Sequence, residues 1–169
     1  QLATSSSYFK NGPFMGVAKN YDILRYDDVL LMLAEAYIEL GQQANALPLI
    51  NQIRARAAAS TGKLRKLDGT FASTYNTGQY PAAGWTQAYA RTALQWERRL
   101  EFATEGSRFF DLVRWGIAAP TLNAYIAVEK TRRTFLSTAL FTAGRDEYLP
   151  IPQSEITFTN GLYKQNPGY

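Results

Sequence analysis

Apolar residues recur at helical spacing in three places along the chain. From Ile23 onward, Tyr26, Leu30, Leu33, Tyr37 and Leu40 are separated by 4, 3, 4 and 3 positions, which places them on one face of a helix. Asp22, Asp27 and Asp28 near its start complement the positive end of the helix dipole, and Gly41 supplies a stop. Asn45 is placed to cap a second helix with the apolar face Ala46, Ile50, Ile53 and Ala57. Pro48 falls in the first turn of that helix, where a missing amide costs nothing. A break this short folds the two helices antiparallel. The same 4, 3, 4, 3 spacing returns in Tyr89, Ala93, Trp96, Leu100 and Ala103, so Trp96 is assigned to the core, and Trp115 with it.

The stretch Glu97–Gly116 adds dense charge to that pattern. It predicts a helix, a break at Gly106, a second helix capped by Ser107 and a stop at Gly116. Glu97, Glu101 and Glu105 lie four apart on one predicted face, a spacing at which like charges cost roughly 0.2–0.5 kcal/mol per pair unless compensated. Arg98, Arg99 and Arg108 are at hand to compensate. A structural ion-pair network of Glu97, Glu101, Glu105, Arg108, Asp111 and Arg114 therefore explains the stretch better than a glycosidase carboxylate pair. Beyond it, Pro120 opens a helix through Leu122, Tyr125 and Ile126. The tail, Tyr148–Glu155 and Leu162–Tyr169, reads as extended because Pro150 and Pro152 push Leu149 and Ile151 toward the β or polyproline region. Residues 1–20 are polar and turn-rich, and read as a loop lying against a core supplied elsewhere.

Composition removes whole classes of chemistry. The 169 residues contain no cysteine and no histidine, which excludes thiol nucleophiles, Cys/His zinc clusters, Ser-His-Asp triads and imidazole acid/base catalysis within this chain. No catalytic residue, metal ligand or cofactor is assigned. The net charge of +4 is dispersed, and its two small clusters, Lys63/Arg65/Lys66 and Lys130/Arg132/Arg133, suit solvated faces rather than nucleic acid. A chain of this length forms one domain, 1–169, by default, and no apolar run is long enough to span a membrane. It opens on Gln1 without a signal peptide and reads as a piece of something longer.

The first helix pair, through Leu33-Ala34, Tyr37, Gly41 and Ala46, resembles a degenerate tetratricopeptide repeat in which Ile50 and Ile53 replace the usual aromatic and alanine. Four longer stretches, in order, are similar to the C-terminal part of the SusD/RagB family of Bacteroidota nutrient-uptake proteins. They are Leu24–Ala36 (Leu-Arg-Tyr-Asp-Asp-Val-Leu-Leu-Met-Leu-Ala-Glu-Ala), Ile50–Ala57 (Ile-Asn-Gln-Ile-Arg-Ala-Arg-Ala), Glu97–Gly116, and Leu149–Ile156 with the ending Gln165-Asn-Pro-Gly-Tyr169. Asp27 departs from the alanine usual after the tyrosine. The resemblance implies a mainly all-α fold: a tetratricopeptide-like α-α superhelix with long loops and an extended C-terminal tail. It implies a non-enzymatic protein, lipid-anchored on the outer face of the outer membrane, which caps a SusC-like TonB-dependent transporter. Such a protein passes that transporter oligosaccharide or, in some members, peptide. The lipidated cysteine and much of the ligand site would lie in a missing N-terminal part, the only route to the membrane, so no site residue transfers by motif.

The long loop Ser60–Thr86 then gains interest. Leu67-Asp68-Gly69-Thr70 can close a hairpin, and Phe71, Tyr75, Tyr80 and Trp85 supply flat faces that either stack on sugar rings or pin the loop to the helices. Tyr75, Tyr80 and Trp85 are the candidate ligand residues. The rival reading of the whole chain is a tetratricopeptide-like scaffold for a protein partner, such as the transporter itself.

Overall fold

The computed structural model describes residues 22–63, 65–72 and 76–169 in full. Before them it gives the backbone of two short strands, β1 (Phe9–Lys10) and β2 (Gly16–Val17), paired antiparallel with Phe9 opposite Val17. The chain forms two compact units, Gln1–Glu101 and Phe102–Tyr169.

The first unit is built on three helices, α1 (Tyr26–Glu39), α2 (Gln43–Ser60) and α3 (Gln87–Glu101). The α1–α2 pair is tetratricopeptide-like. Its turn is set by Gly41 at φ +74°, a left-handed conformation that costs glycine little, with the Gln42 amide donating to the Tyr37 carbonyl (2.7 Å) and the Gly41 amide to that of Ile38 (3.1 Å). Ala34 and Ala46 are fully buried, as small residues must be where two helix backbones approach closely.

The buried stripes depart from the periodicity. On α1 the core face is Leu30, Leu31, Ala34 and Ile38, whereas Tyr26, Leu33 and Leu40 are exposed and Tyr37 is half-buried. On α3 it is Ala90, Ala93 and Leu94 together with Glu97 and Arg98, whereas Tyr89 and Leu100 face solvent. Trp96, assigned to the core by its spacing, is 51% exposed, with the Arg99 guanidinium 5.0 Å from its ring centroid. Only α2 buries the expected positions, Ala46, Ile50 and Ile53, with Ala57 half-buried. That helix starts earlier than Asn45. Gln42 holds the cap position without a side-chain bond, and the Asn45 amide donates to the Gln42 carbonyl (2.9 Å). Pro48 therefore lies inside the helix, and the Ala44 carbonyl loses its helical donor.

Between α2 and α3 the chain forms a 3₁₀ turn (Thr61–Lys63) and a small hairpin in which Arg65 bridges Phe71. Asp68 shapes the hairpin tip, accepting from both the amide (2.9 Å) and the hydroxyl (2.6 Å) of Thr70, and these bonds hold its carboxyl below the usual range. Thr86 then caps α3, its hydroxyl accepting from the Tyr89 amide (3.2 Å).

The second unit holds α4 (Arg108–Arg114), α5 (Ala118–Glu129), a 3₁₀ turn (Thr134–Leu136) and α6 (Gln153–Phe158). Ser107 stands at the N-cap of α4, but its backbone is already helical (φ −73°, ψ −22°) and its side chain makes no capping bond. The tail is not extended throughout. Pro152, at φ −55° and ψ 134°, ends the extended segment and starts α6, so Gln153–Glu155 are helical. On either side of α6 the strands of the tail are tied together: Gln165 exchanges two hydrogen bonds with the Ile151 peptide (2.8 and 2.9 Å), and the Tyr169 hydroxyl donates to the Tyr148 carbonyl (3.0 Å). Gly168 combines φ +85° with a position where a Cβ would stand 2.7 Å from Arg145 Cγ.

Candidate functional site

The loop from Asn76 to Thr86 is held on the first unit through its backbone. The Asn51 carboxamide on α2 grips the Tyr80 peptide from both sides: its Nδ2 donates to the Tyr80 carbonyl (2.9 Å) and its Oδ1 accepts from the Tyr80 amide (2.8 Å). One turn on, Arg54 Nε donates to the Gly78 carbonyl. Trp85 is only 8% exposed and its indole N–H donates to the Gln43 carbonyl at the start of α2 (2.8 Å). Gln87 Nε2 reaches the Ile38 carbonyl (2.6 Å). A buried indole with a satisfied N–H fastens the loop to the helices, and most of its surface is spent on that contact.

The aromatic residues of this loop gather with one from α3. Tyr80, Trp85 and Tyr89 form a triangle with centroid separations of 5.4, 5.6 and 6.0 Å, tilted or edge-to-face. Spacing alone places Tyr89 on a helix face. Its place in the first turn after the Thr86 cap, four residues beyond Trp85, is the signal that joins it to the loop. The Arg54 guanidinium sits 4.5 Å from the Tyr80 ring centroid. Burial pushes the Tyr80 hydroxyl up from its ordinary 10.0, opposed by Arg54 and reinforced by Glu97 and Tyr89. Phe71 stands apart, its ring under the Arg65 guanidinium at 4.4 Å, and Tyr75 lies outside the described residues.

Beside this cluster runs an open groove of about 410 Å³ lined by Leu47, Pro48, Asn51, Gln52, Ala55 and Gln79. Among the described residues no charged side chain lines it. Carboxamides that can both donate and accept, alternating with small apolar surfaces, suit neutral hydroxylated ligands better than ions.

The charged stretch is arranged differently from the pattern its spacing suggests. Glu97 pairs with Arg54 of α2 (2.8 Å), and the adjacent Arg98 pairs with Asp28 of α1 (2.8 Å). Glu101 receives Arg25 (2.9 Å) and Arg56, and Asp27 also lies within 3.0 Å of Arg25 and 3.5 Å of Arg56. Helix α3 is thus tied to both of its neighbours by charges that stand side by side in its sequence. Because α3 ends at Glu101, Glu105 leaves the face it was expected to share, and it is exposed. Asp111, buried on α4, receives Arg114 Nε at 2.9 Å, and Arg108 opens the same helix, half-buried. Among the described residues no cluster of acidic side chains could hold a metal ion, and no helix is long and apolar enough to cross a membrane.

A model of the SusD family matches residues 6–169. Among curated proteins, the chain is similar to SusD-like protein P2 of Formosa agariphila, 28% identical over 89% of this chain and 26% of that protein. It is also similar to SusD-like protein P25 of the same organism, 35% identical over 63% of this chain and 17% of that one. Among solved structures, a SusD homolog from Bacteroides thetaiotaomicron superposes with a TM-score of 0.72 and 29% identity, over 96% of this chain and 30% of that one. The chain thus spans about a quarter of the length of the first of these curated relatives.

Proposed function

The chain belongs to the SusD family, and from that premise we propose that it is part of a nutrient-uptake component at the cell surface. The component captures oligosaccharide and delivers it to a SusC-like TonB-dependent transporter. It does so without chemistry of its own, anchored to the outer membrane by lipid on another part of the protein. The observation that carries the glycan reading is the carboxamide-lined groove, joined to Tyr80 through Asn51 and Gln79, with the exposed Tyr89 packed against the Tyr80 ring. Gln52 and Gln79 meet sugar hydroxyls, while the tyrosine rings offer faces to the apolar side of a pyranose. Of the residues picked from sequence, Tyr80 keeps a role as a contact, Trp85 becomes its support, and Tyr75 lies outside the described residues.

Titration calorimetry of the full gene product against a panel of neutral and acidic oligosaccharides tests this. Binding of a neutral glycan, weakened about tenfold by Gln79→Ala with Tyr89→Ala, is the expected result, equivalent to about 1.4 kcal/mol. Heat only from acidic glycans or peptides, or affinity indifferent to both substitutions, removes the groove from the reading.

A further inference from the structure

Arg54 stands where three segments of the first unit meet. It lies on α2 three residues beyond Asn51, so both side chains leave the helix on one face, toward the loop. Arg54 Nε donates to the Gly78 carbonyl of the loop, and Nη1 donates to Glu97 Oε2 of α3 at 2.8 Å. The same guanidinium lies 4.5 Å from the centroid of the Tyr80 ring. A guanidinium is planar and its donors form a fixed fork, so fixing one donor fixes the direction of the rest. One anchoring carboxylate therefore decides where the arginine meets both the Gly78 peptide and the Tyr80 ring.

That anchor is well sheltered. The Glu97 side chain is 5% exposed and that of Arg54 15%, so little water competes for the pair. Glu97 is not one of the described residues that line the groove, so its reach to the loop runs through Arg54. Its neighbour in sequence, Arg98, ties α3 to α1 instead, through Asp28 at 2.8 Å. We propose that Glu97 is a positioning residue for the 76–86 loop: by orienting Arg54 it fixes the Gly78 backbone and the Tyr80 ring, and so shapes what the loop offers a ligand. The effect on ligand rests on the glycan reading above; the hold on the loop is independent of it.

Hydrogen exchange and fluorine NMR of the fluorotyrosine-labelled full gene product test this, with the Tyr80 line assigned through Tyr80→Phe. Glu97→Gln keeps the shape and removes the charge. Exchange at residues 76–80 should then rise about tenfold, the scale of one lost charge-assisted hydrogen bond, and the Tyr80 line should move. Residues 82–86, held by Trp85, should exchange as before. Asp28→Asn, which removes the charge facing Arg98, should leave loop and line unchanged. Arg54→Lys should reproduce Glu97→Gln, because one ammonium cannot replace the fork, and it serves alone if Glu97→Gln does not fold. Calorimetry with neutral oligosaccharide should show binding weakened about fivefold by Glu97→Gln and untouched by Asp28→Asn. Unchanged exchange at 76–80 in either loop variant overturns the proposal, and so does an equal loosening by Asp28→Asn. A loosened loop with unaltered affinity overturns the effect on ligand. A parent that binds no neutral glycan removes the glycan reading, and exchange at 76–80 then decides the role of Glu97 alone.

Discussion

Single residues in this fold carry conformations their chemistry alone would not choose. Thr104 sits at φ +71°, where a β-branched side chain crowds its own backbone. Thr104→Asn, which tolerates that region, is expected to raise stability by about 1 kcal/mol, read as a shift in the denaturant midpoint. Asn51 presents the opposite case, a side chain fitted to its partner on both atoms. Asn51→Asp keeps the shape but turns the donor facing the Tyr80 carbonyl into an acceptor. We expect a loss of about 1–3 kcal/mol and faster proteolysis in the 76–86 loop, with Asn51→Ala close behind. Equal stability of both variants with the parent would show that Trp85 and Arg54 hold the loop without the Asn51 grip.

At the level of elements, the position of α3 depends on charge as much as on packing. Glu97 is 4% exposed and faces Arg54, so Glu97→Ala leaves a partly buried guanidinium without its carboxylate and should cost about 3 kcal/mol. Exchanging the partners, Glu97→Arg with Arg54→Glu, should recover part of that loss in a double-mutant cycle. The same burial explains what the sequence concealed. The existence of α1 to α5 and the Gly41 and Gly116 stops are legible in the sequence, and so is the face of α2, where apolar and buried coincide. On α3 the core side contains Glu97 and Arg98, which any hydrophobic pattern sends outward, so the stripe was placed through Tyr89, Trp96 and Leu100 instead. On α1 the run Val29–Leu33 is apolar without interruption, and periodicity cannot choose between two faces that are both hydrophobic. The start of α6 is hidden in the sequence because the same Pro152 that pushes Ile151 toward extended backbone also stands at the cap of the helix that follows.

For the molecule as a whole, the titrating groups set a window of stability. Arg91 holds the Glu39 carboxyl below its ordinary 4.5 through hydrogen bonds of 2.7 and 2.8 Å, and Arg145 holds Asp146 below 3.8. Carboxyls depressed in the folded state add stability above their unfolded values and lose it as pH falls through the folded ones. Tyr80 is raised, so its contribution is complete below 10.0 and is lost as pH climbs through the folded value. The melting temperature should therefore be flat from about pH 5 to about pH 9.5 and fall on both sides, with Tyr80→Phe softening only the alkaline fall. The candidate site was half legible at this scale. The sequence marked the aromatic loop and offered both pinning and stacking for its rings; that Trp85 is the ring that pins, and that Tyr89 joins from α3, depends on where distant segments meet. Three times among the described residues an irregular segment is fastened by a carboxamide that grips one residue's amide and carbonyl together, Asn51 on Tyr80, Asn123 on Phe141 and Gln165 on Ile151. Such a grip reads the main chain and ignores what the gripped residue carries. The loop can therefore keep its hold on α2 through position 80 whatever side chain stands there.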